Sequence, residues 1–280
     1  MDFLDQFVNL FADFTNPKKR VFAGYLGISI VIAFGWLLLV QKTSIKKALA
    51  RIFDRKVFMS RSAGVDYSIF VINRIFFGFI SPLLLGQMAV AVGIYIALLN
   101  SGLVPAKVFE DLSKPLVVTL FSITMFLADD LSKYLLHRWM HRWPILWSLH
   151  KVHHSAETLN PMTIYRNHPL EGVIALLRTT VVQGTVISLF YYLFDDSVSL
   201  FTILGTNVLI FAFHVSGSNL RHSHIDIRYP RWIEHILISP CQHSCTILSL
   251  RNITTKILAL RSPSGIGCSG LCMCLKKNKT

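Results

Sequence analysis

The segment DDLSKYLLHRWMHRWPILWSLHKVHHSAETLNPMTIYRNHPLE, residues 129–171, carries the features that decide the fold. Six histidines fall within thirty-two residues of it: His137 and His141 in HRWMH, His150, His153 and His154 in HKVHH, and His168. At about 100° per residue, Asp130, Tyr134, His137 and His141 share about 60° of one helical face, so the spacing predicts a helix with a single polar stripe. His150, His153 and His154 converge again at i, i+3 and i+4. Pro144 lies between the two sets and predicts a break or turn that lets the stripes face each other. Burying so many imidazoles without a shared partner would strand donors and acceptors, whereas neutral imidazole is the commonest metal ligand. The pattern points to a polynuclear metal centre.

Outward from this segment the chain is apolar. An uncharged run at 23–40 comes close to the roughly twenty residues a helix needs to cross a bilayer, and further spans are expected at 76–99, at 115–128 continuing as an amphipathic helix into the first histidine pair, and at 172–194 and 197–213. Asp195 and Asp196 separate the last two as a tight hairpin, with Arg178 facing protein or the interface rather than lipid. After the first span, Lys42, Lys46, Lys47, Arg51, Arg55 and Lys56 outnumber Lys18, Lys19 and Arg20 before it, which makes 42–67 a cytoplasmic loop. Counting crossings from there returns every histidine cluster to the cytoplasmic side. The first apolar run follows an acidic, aromatic start with no small-residue cleavage site, so it is expected to stay in the mature protein.

Composition agrees: mean hydropathy is +0.51, 52% of the 280 residues are hydrophobic and 15% are charged, too apolar for an ordinary soluble domain. The net charge of +13 sits in short loops between apolar runs, where it orients spans and meets anionic headgroups, so nucleic acid is not an expected partner. The expected fold is all-α, a multi-span membrane helical bundle with a cytoplasmic histidine-rich helical cap.

Ligand type alone does not choose among Zn, Cu, Fe and Ni. An apolar substrate reached from the bilayer must be attacked at C–H bonds, which calls for a redox metal and argues for iron. Asp130 and Tyr134 are the candidate catalytic side chains on the first stripe. Asp130 would orient a ligating imidazole or balance the charge of Lys133 and Arg138. His214 or His235 alone reads more simply as a core or interfacial residue.

The quoted segment is similar to the signature of the fatty acid hydroxylase and sterol desaturase superfamily, and RHSHIDIRYPRWIEHILISPCQH, residues 221–243, resembles the approach to its third histidine box. The resemblance covers roughly residues 70–243. It implies a membrane enzyme with two non-haem irons that uses O2 and a reductant to hydroxylate or desaturate a fatty acyl or sterol-like lipid. It implies metal ligation by His137, His141, His150, His153 and His154, more weakly by His222 and His224, and by His243 as the opening residue of the last box. No fused haem or flavin domain is visible, so the electron donor should be a separate protein.

The chain departs from that pattern after His243. A closing HxxHH would follow, but the sequence reads Ser244, Cys245, Thr246, Ile247 and holds no further histidine. All five cysteines (Cys241, Cys245, Cys268, Cys272 and Cys274) lie in the last forty residues, and Asp, Glu, Trp, Phe and Tyr vanish after 243. Rebuilding codons across residue junctions allows QLHHS directly after His243, then QFAEHYDKNFG and WDWMFG, which resemble the family's own ending. The tail is therefore read as out of frame, in preference to a zinc or redox site built on its cysteines, whose spacing is a weak signal. The expected organisation is an N-terminal span and basic loop (1–67), a hydroxylase-like membrane domain (68–243) and an atypical tail (244–280). With the last box incomplete, the second iron should bind poorly and this copy is expected to be impaired. The alternatives are a catalytically dead lipid- or partner-binding membrane protein, or a histidine-rich metal-handling one.

Overall fold

A computed structural model describes residues 12–81, 84, 86–102, 105–194, 202–203, 206–215, 218–234 and 239–249. The helices are α1 (Ala23–Gly35, prolonged by a π turn, Trp36–Val40), α2 (Ile45–Ile52), α3 (Arg55–Phe58), α4 (Arg61–Ile80), α5 (Gln87–Ser101), α6 (Lys114–Met140), α7 (Pro144–His150), α8 (Pro169–Phe194), α9 (Val208–Val215), α10 (Arg231–Glu234) and α11 (Pro240–Ser249). Strands β1 (Thr202–Ile203) and β2 (Thr206–Asn207) form a two-residue antiparallel ladder. The architecture is helical, and four helical stretches are long and apolar enough to cross a membrane: Ala23–Val40, Arg61–Ile80, Lys114–Met140 and Pro169–Phe194.

Two of the expected spans are redrawn. The stretch 42–67, expected as a loop, contains α2, α3 and the start of α4, and the expected span 76–99 is interrupted between Ile80 and Gln87. Of 197–213, the described part is helical only from Val208, and eight residues reach about 12 Å, far short of a bilayer. Asp195 and Asp196 lie outside the described residues.

In space the chain gathers into two units, each discontinuous in sequence. The first is built from 73–150 and 168–213 around α8. Val117, Phe121 and Met125 of α6 bury themselves against Val186, Phe190 and Phe194 of α8, and Arg178 of α8 reaches Asp129 of α6 at 3.0 Å. Contacts that advance along α6 retreat along α8, so the helices are antiparallel and the C-terminal end of α6 meets the N-terminal end of α8. On another side of α8, Gly172 lies at Phe77, Gly184 at Val90 and Gln87, and the Tyr192 hydroxyl donates to the Leu98 carbonyl at 3.3 Å. These pairs advance together, so 77–98 accompanies α8 once, in the same direction, despite the interruption. Lys107 and Phe109 donate their backbone N–H groups to the carbonyls of Tyr192 and Leu193, meeting acceptors that the end of a helix leaves unpaired.

The second unit comprises the described parts of 7–72, 151–167 and 214–249. Its larger core joins Ala33 and Leu37 of the first span to Ala48 and Ile52 of α2 and to Leu220, Ile225 and Ile227. The Trp36 indole N–H donates to the Asp226 carbonyl at 3.1 Å, and Asn219 donates to the Arg20 carbonyl at 2.6 Å, fixing the strap at 219–227 across α1. A smaller core of Ala156, Leu159 and Ile247 seats α11 against the segment that follows the histidine turn at 153–155.

Candidate metal sites

The first unit holds His137, His141 and His150, whose ligand nitrogens lie within 4.8 Å of one another. His137 and His141 are one turn apart at the end of α6, and their Nε2 atoms approach to 3.2 Å. The helix ends there, with His141 as its C-cap. Arg142 and Trp143 turn the chain, and Pro144 starts α7 at a position where a missing N–H costs no helical hydrogen bond. Six residues later His150 has come back over the pair, its ring 4.8 Å from that of His137 and 5.0 Å from that of His141. Trp147 packs beside His141 at 5.4 Å between centroids and walls the group on that side.

Glu171, in the first turn of α8, completes the arrangement. Its Oε1 accepts from His150 Nδ1 at 2.9 Å, and both side chains are buried. An ionised carboxylate can only accept, so the proton of that bond sits on Nδ1, which leaves Nε2 as the ring's free ligand atom. The sequence reading missed Glu171, although the quoted segment ends on it.

The second unit holds His153, His222 and His243, again with ligand nitrogens within 4.8 Å of one another. His153 sits in the one-turn 3-10 helix at 153–155, His222 ends another at 218–222, and His243 lies in the first turn of α11. His243 Nε2 meets His222 Nε2 at 3.3 Å, and the ring of His153 lies 5.4 Å from that of His222. Burial, reinforced by the His243 and His153 imidazoles and by Arg20 and Arg221, holds the His222 pKa well below the usual imidazole range. His222 is therefore neutral at pH 7, the form that binds metal.

These residues fit metal ions. Two nitrogens each about 2.1 Å from one ion at a tetrahedral angle are about 3.4 Å apart, close to the 3.2 and 3.3 Å seen between facing Nε2 atoms. His222 Nδ1 is buried without a hydrogen bond among the described residues, so no protein partner competes for that ring's other nitrogen by drawing it aside. The donors are all imidazole, which admits iron as well as zinc or copper.

The remaining expected site residues fall elsewhere. His154 is buried with its ring 5.7 Å from that of His153, and it belongs to neither group. His224 is not in a ligand group: its Nε2 is 2.6 Å from the Arg51 carbonyl, to which it donates, and its ring stands edge-on to Phe58. It ties the strap to α2, a structural task. Asp130 is exposed, and among the described residues its side chain makes no hydrogen bond to an imidazole. Its neighbour Asp129 is the buried carboxylate, held by Lys133 and Arg178. The expectation that Arg178 faces protein holds. Tyr134 is exposed and accepts from Arg138 at 3.3 Å. His168 caps the start of α8, its Nδ1 accepting from Leu170 N at 3.2 Å. His214 is buried, its ring tilted 5.1 Å from that of Tyr25, as a core residue would be. His235, Cys268, Cys272 and Cys274 lie outside the described residues.

A family model described as fatty acid hydroxylase matches residues 122–245, a stretch that contains all six histidines of the two groups. Over those residues the chain matches the fatty acid hydroxylase family. No curated protein and no solved structure matches it.

Proposed function

We propose that the matched region belongs to a membrane-bound, O2-dependent di-iron oxidoreductase that hydroxylates or desaturates the acyl or sterol-like part of a lipid. The observation that carries the reading is the pair of three-histidine groups, one of them with a ring aimed by Glu171. Irons held by these imidazoles would supply the redox chemistry needed to break an unactivated C–H bond. The chain's own residues do the rest. Glu171 fixes the tautomer and aim of His150, and burial keeps His222 neutral. The apolar faces of α6 and α8 would admit substrate laterally from lipid. One iron would be held by His137, His141 and His150 and another by His153, His222 and His243, on the cytoplasmic side, with electrons delivered by a separate protein.

The same reading makes this copy impaired. The places where a closing HxxHH would put its last two histidines hold Thr246 and Ile247, and Ile247 is buried against Ala156 and Leu159. The second group thus draws on one residue of the last box, and the tail from Ser244 is best explained as out of frame. A lipid- or partner-binding protein without catalysis is the second reading this favours.

Iron analysis of the purified protein separates them. Two irons per chain support an intact enzyme and sink the impairment. About one iron supports the damaged copy. None, with the histidines intact, removes the oxidoreductase reading for this chain.

A further inference from the structure

We propose that Arg166 is a positioning residue for the second histidine group, an inference that rests on the metal reading above. His153 is presented by a 3-10 turn of three residues, too short to hold a pose by its own hydrogen bonds. Arg166, buried thirteen residues on, grips both flanks of that turn. Its Nε donates to the Val152 carbonyl at 3.2 Å and to Ser155 Oγ at 3.1 Å, and a terminal nitrogen donates to the Ser155 carbonyl at 3.2 Å and Oγ at 2.9 Å. The other terminal nitrogen reaches α4, donating to the Ser62 carbonyl at 3.1 Å and to Asp66 Oδ1 at 3.0 Å. Asp66 is fully buried, and its second oxygen accepts from Asn160 at 2.8 Å and Thr163 at 2.7 Å.

One planar guanidinium thus bolts the residues before and after His153–His154 to a buried carboxylate on a long helix. Only arginine offers five donors in a fixed fork; a lysine ammonium has three on a point and cannot reach both carbonyls and the carboxylate together. None of these contacts touches a ligand nitrogen, so Arg166 acts through the turn.

The test uses the full chain in detergent with Co2+ as the probe, read by its visible absorption. His137→Ala/His141→Ala isolates the second group, and His222→Ala/His243→Ala isolates the first. Arg166→Gln should weaken Co2+ binding at the second group by roughly 10- to 100-fold, the scale of losing an outer partner of a metal ligand. It should alter that group's absorption band and leave the first group within about two-fold. Arg166→Lys should recover only part of the loss. Asp66→Asn/Arg166→Gln strands no charge and serves where the single variant fails to fold. Equal weakening of both groups, or of neither, overturns the proposal. If the unsubstituted second group takes up no Co2+, the metal reading falls instead. Arg166 is then judged by amide hydrogen exchange over 152–167, where protection unchanged by Arg166→Gln overturns the clamp.

Discussion

Glu171 and His150 are twenty-one residues apart in sequence and share a 2.9 Å hydrogen bond with both side chains buried, joining the start of α8 to the histidine group at the end of α6. A buried carboxylate held by an imidazole is a demanding arrangement, because removing the imidazole leaves the carboxylate desolvated without that donor.

Glu171→Gln keeps the shape but replaces the anionic acceptor with an amide. Metal affinity at His137, His141 and His150 should fall roughly 10- to 100-fold, measured by Co2+ titration with the second group removed. Unchanged affinity would show that the carboxylate does not aim the ring.

The depressed pKa of His222 makes acid destabilising. The unfolded chain takes up its proton near the ordinary imidazole value of about 6.5, while the folded ring resists until lower pH. The unfolded state then binds more protons, so stability is flat above about 6.5 and falls as pH drops below it. Thermal midpoints of metal-free protein from pH 7.5 to 5.5 should show this slope, and His222→Asn should make it shallower. A slope indifferent to that substitution would assign it to other groups.

Packing between α5 and α8 depends on a missing side chain. A Cβ at Gly184 would sit 3.0 Å from Val90 Cγ1 and 3.2 Å from the Gln87 carbonyl, whereas one at Gly93 meets nothing within 4 Å. Small residues let membrane helices approach this closely. Gly184→Leu should cost about 1–3 kcal/mol and Gly93→Leu should not, as read from unfolding midpoints in the same detergent. Equal effects at both positions would argue that the close approach contributes nothing.

Replacing Ser244–Ile247 by the frame-restored Gln-Leu-His-His adds the closing pair of the last histidine box. Iron per chain should rise in the substituted protein, while Ile247→Ala, which vacates the same place without adding a ligand, should not raise it. Iron content that stays level in the restored chain would remove the explanation of impairment by missing ligands.

Much of the site was legible because its spacing is local. The separation of His137 and His141, and the return of His150 after Pro144, follow from helical periodicity and proline's missing donor. The span boundaries were less legible: apolarity alone drew a span at 76–99, while the helix begins at Arg61, where Ser62 and Asp66 look too polar for one until their buried partners are known. Asp129 and Asp130 are indistinguishable by composition, and only the helix's rotation against Arg178 buries one and exposes the other.

The sequence by itself determined a helical membrane protein with histidines gathered at helix ends, because hydrophobic runs and i, i+3, i+4 spacing act within a few turns. Tertiary structure decided which histidines share a group. It paired His243 with His222, sent His224 instead to the carbonyl of Arg51, 173 residues away, and brought Glu171 to His150. Such choices depend on which backbone and side-chain partners meet when separate segments pack, and no local pattern encodes that meeting.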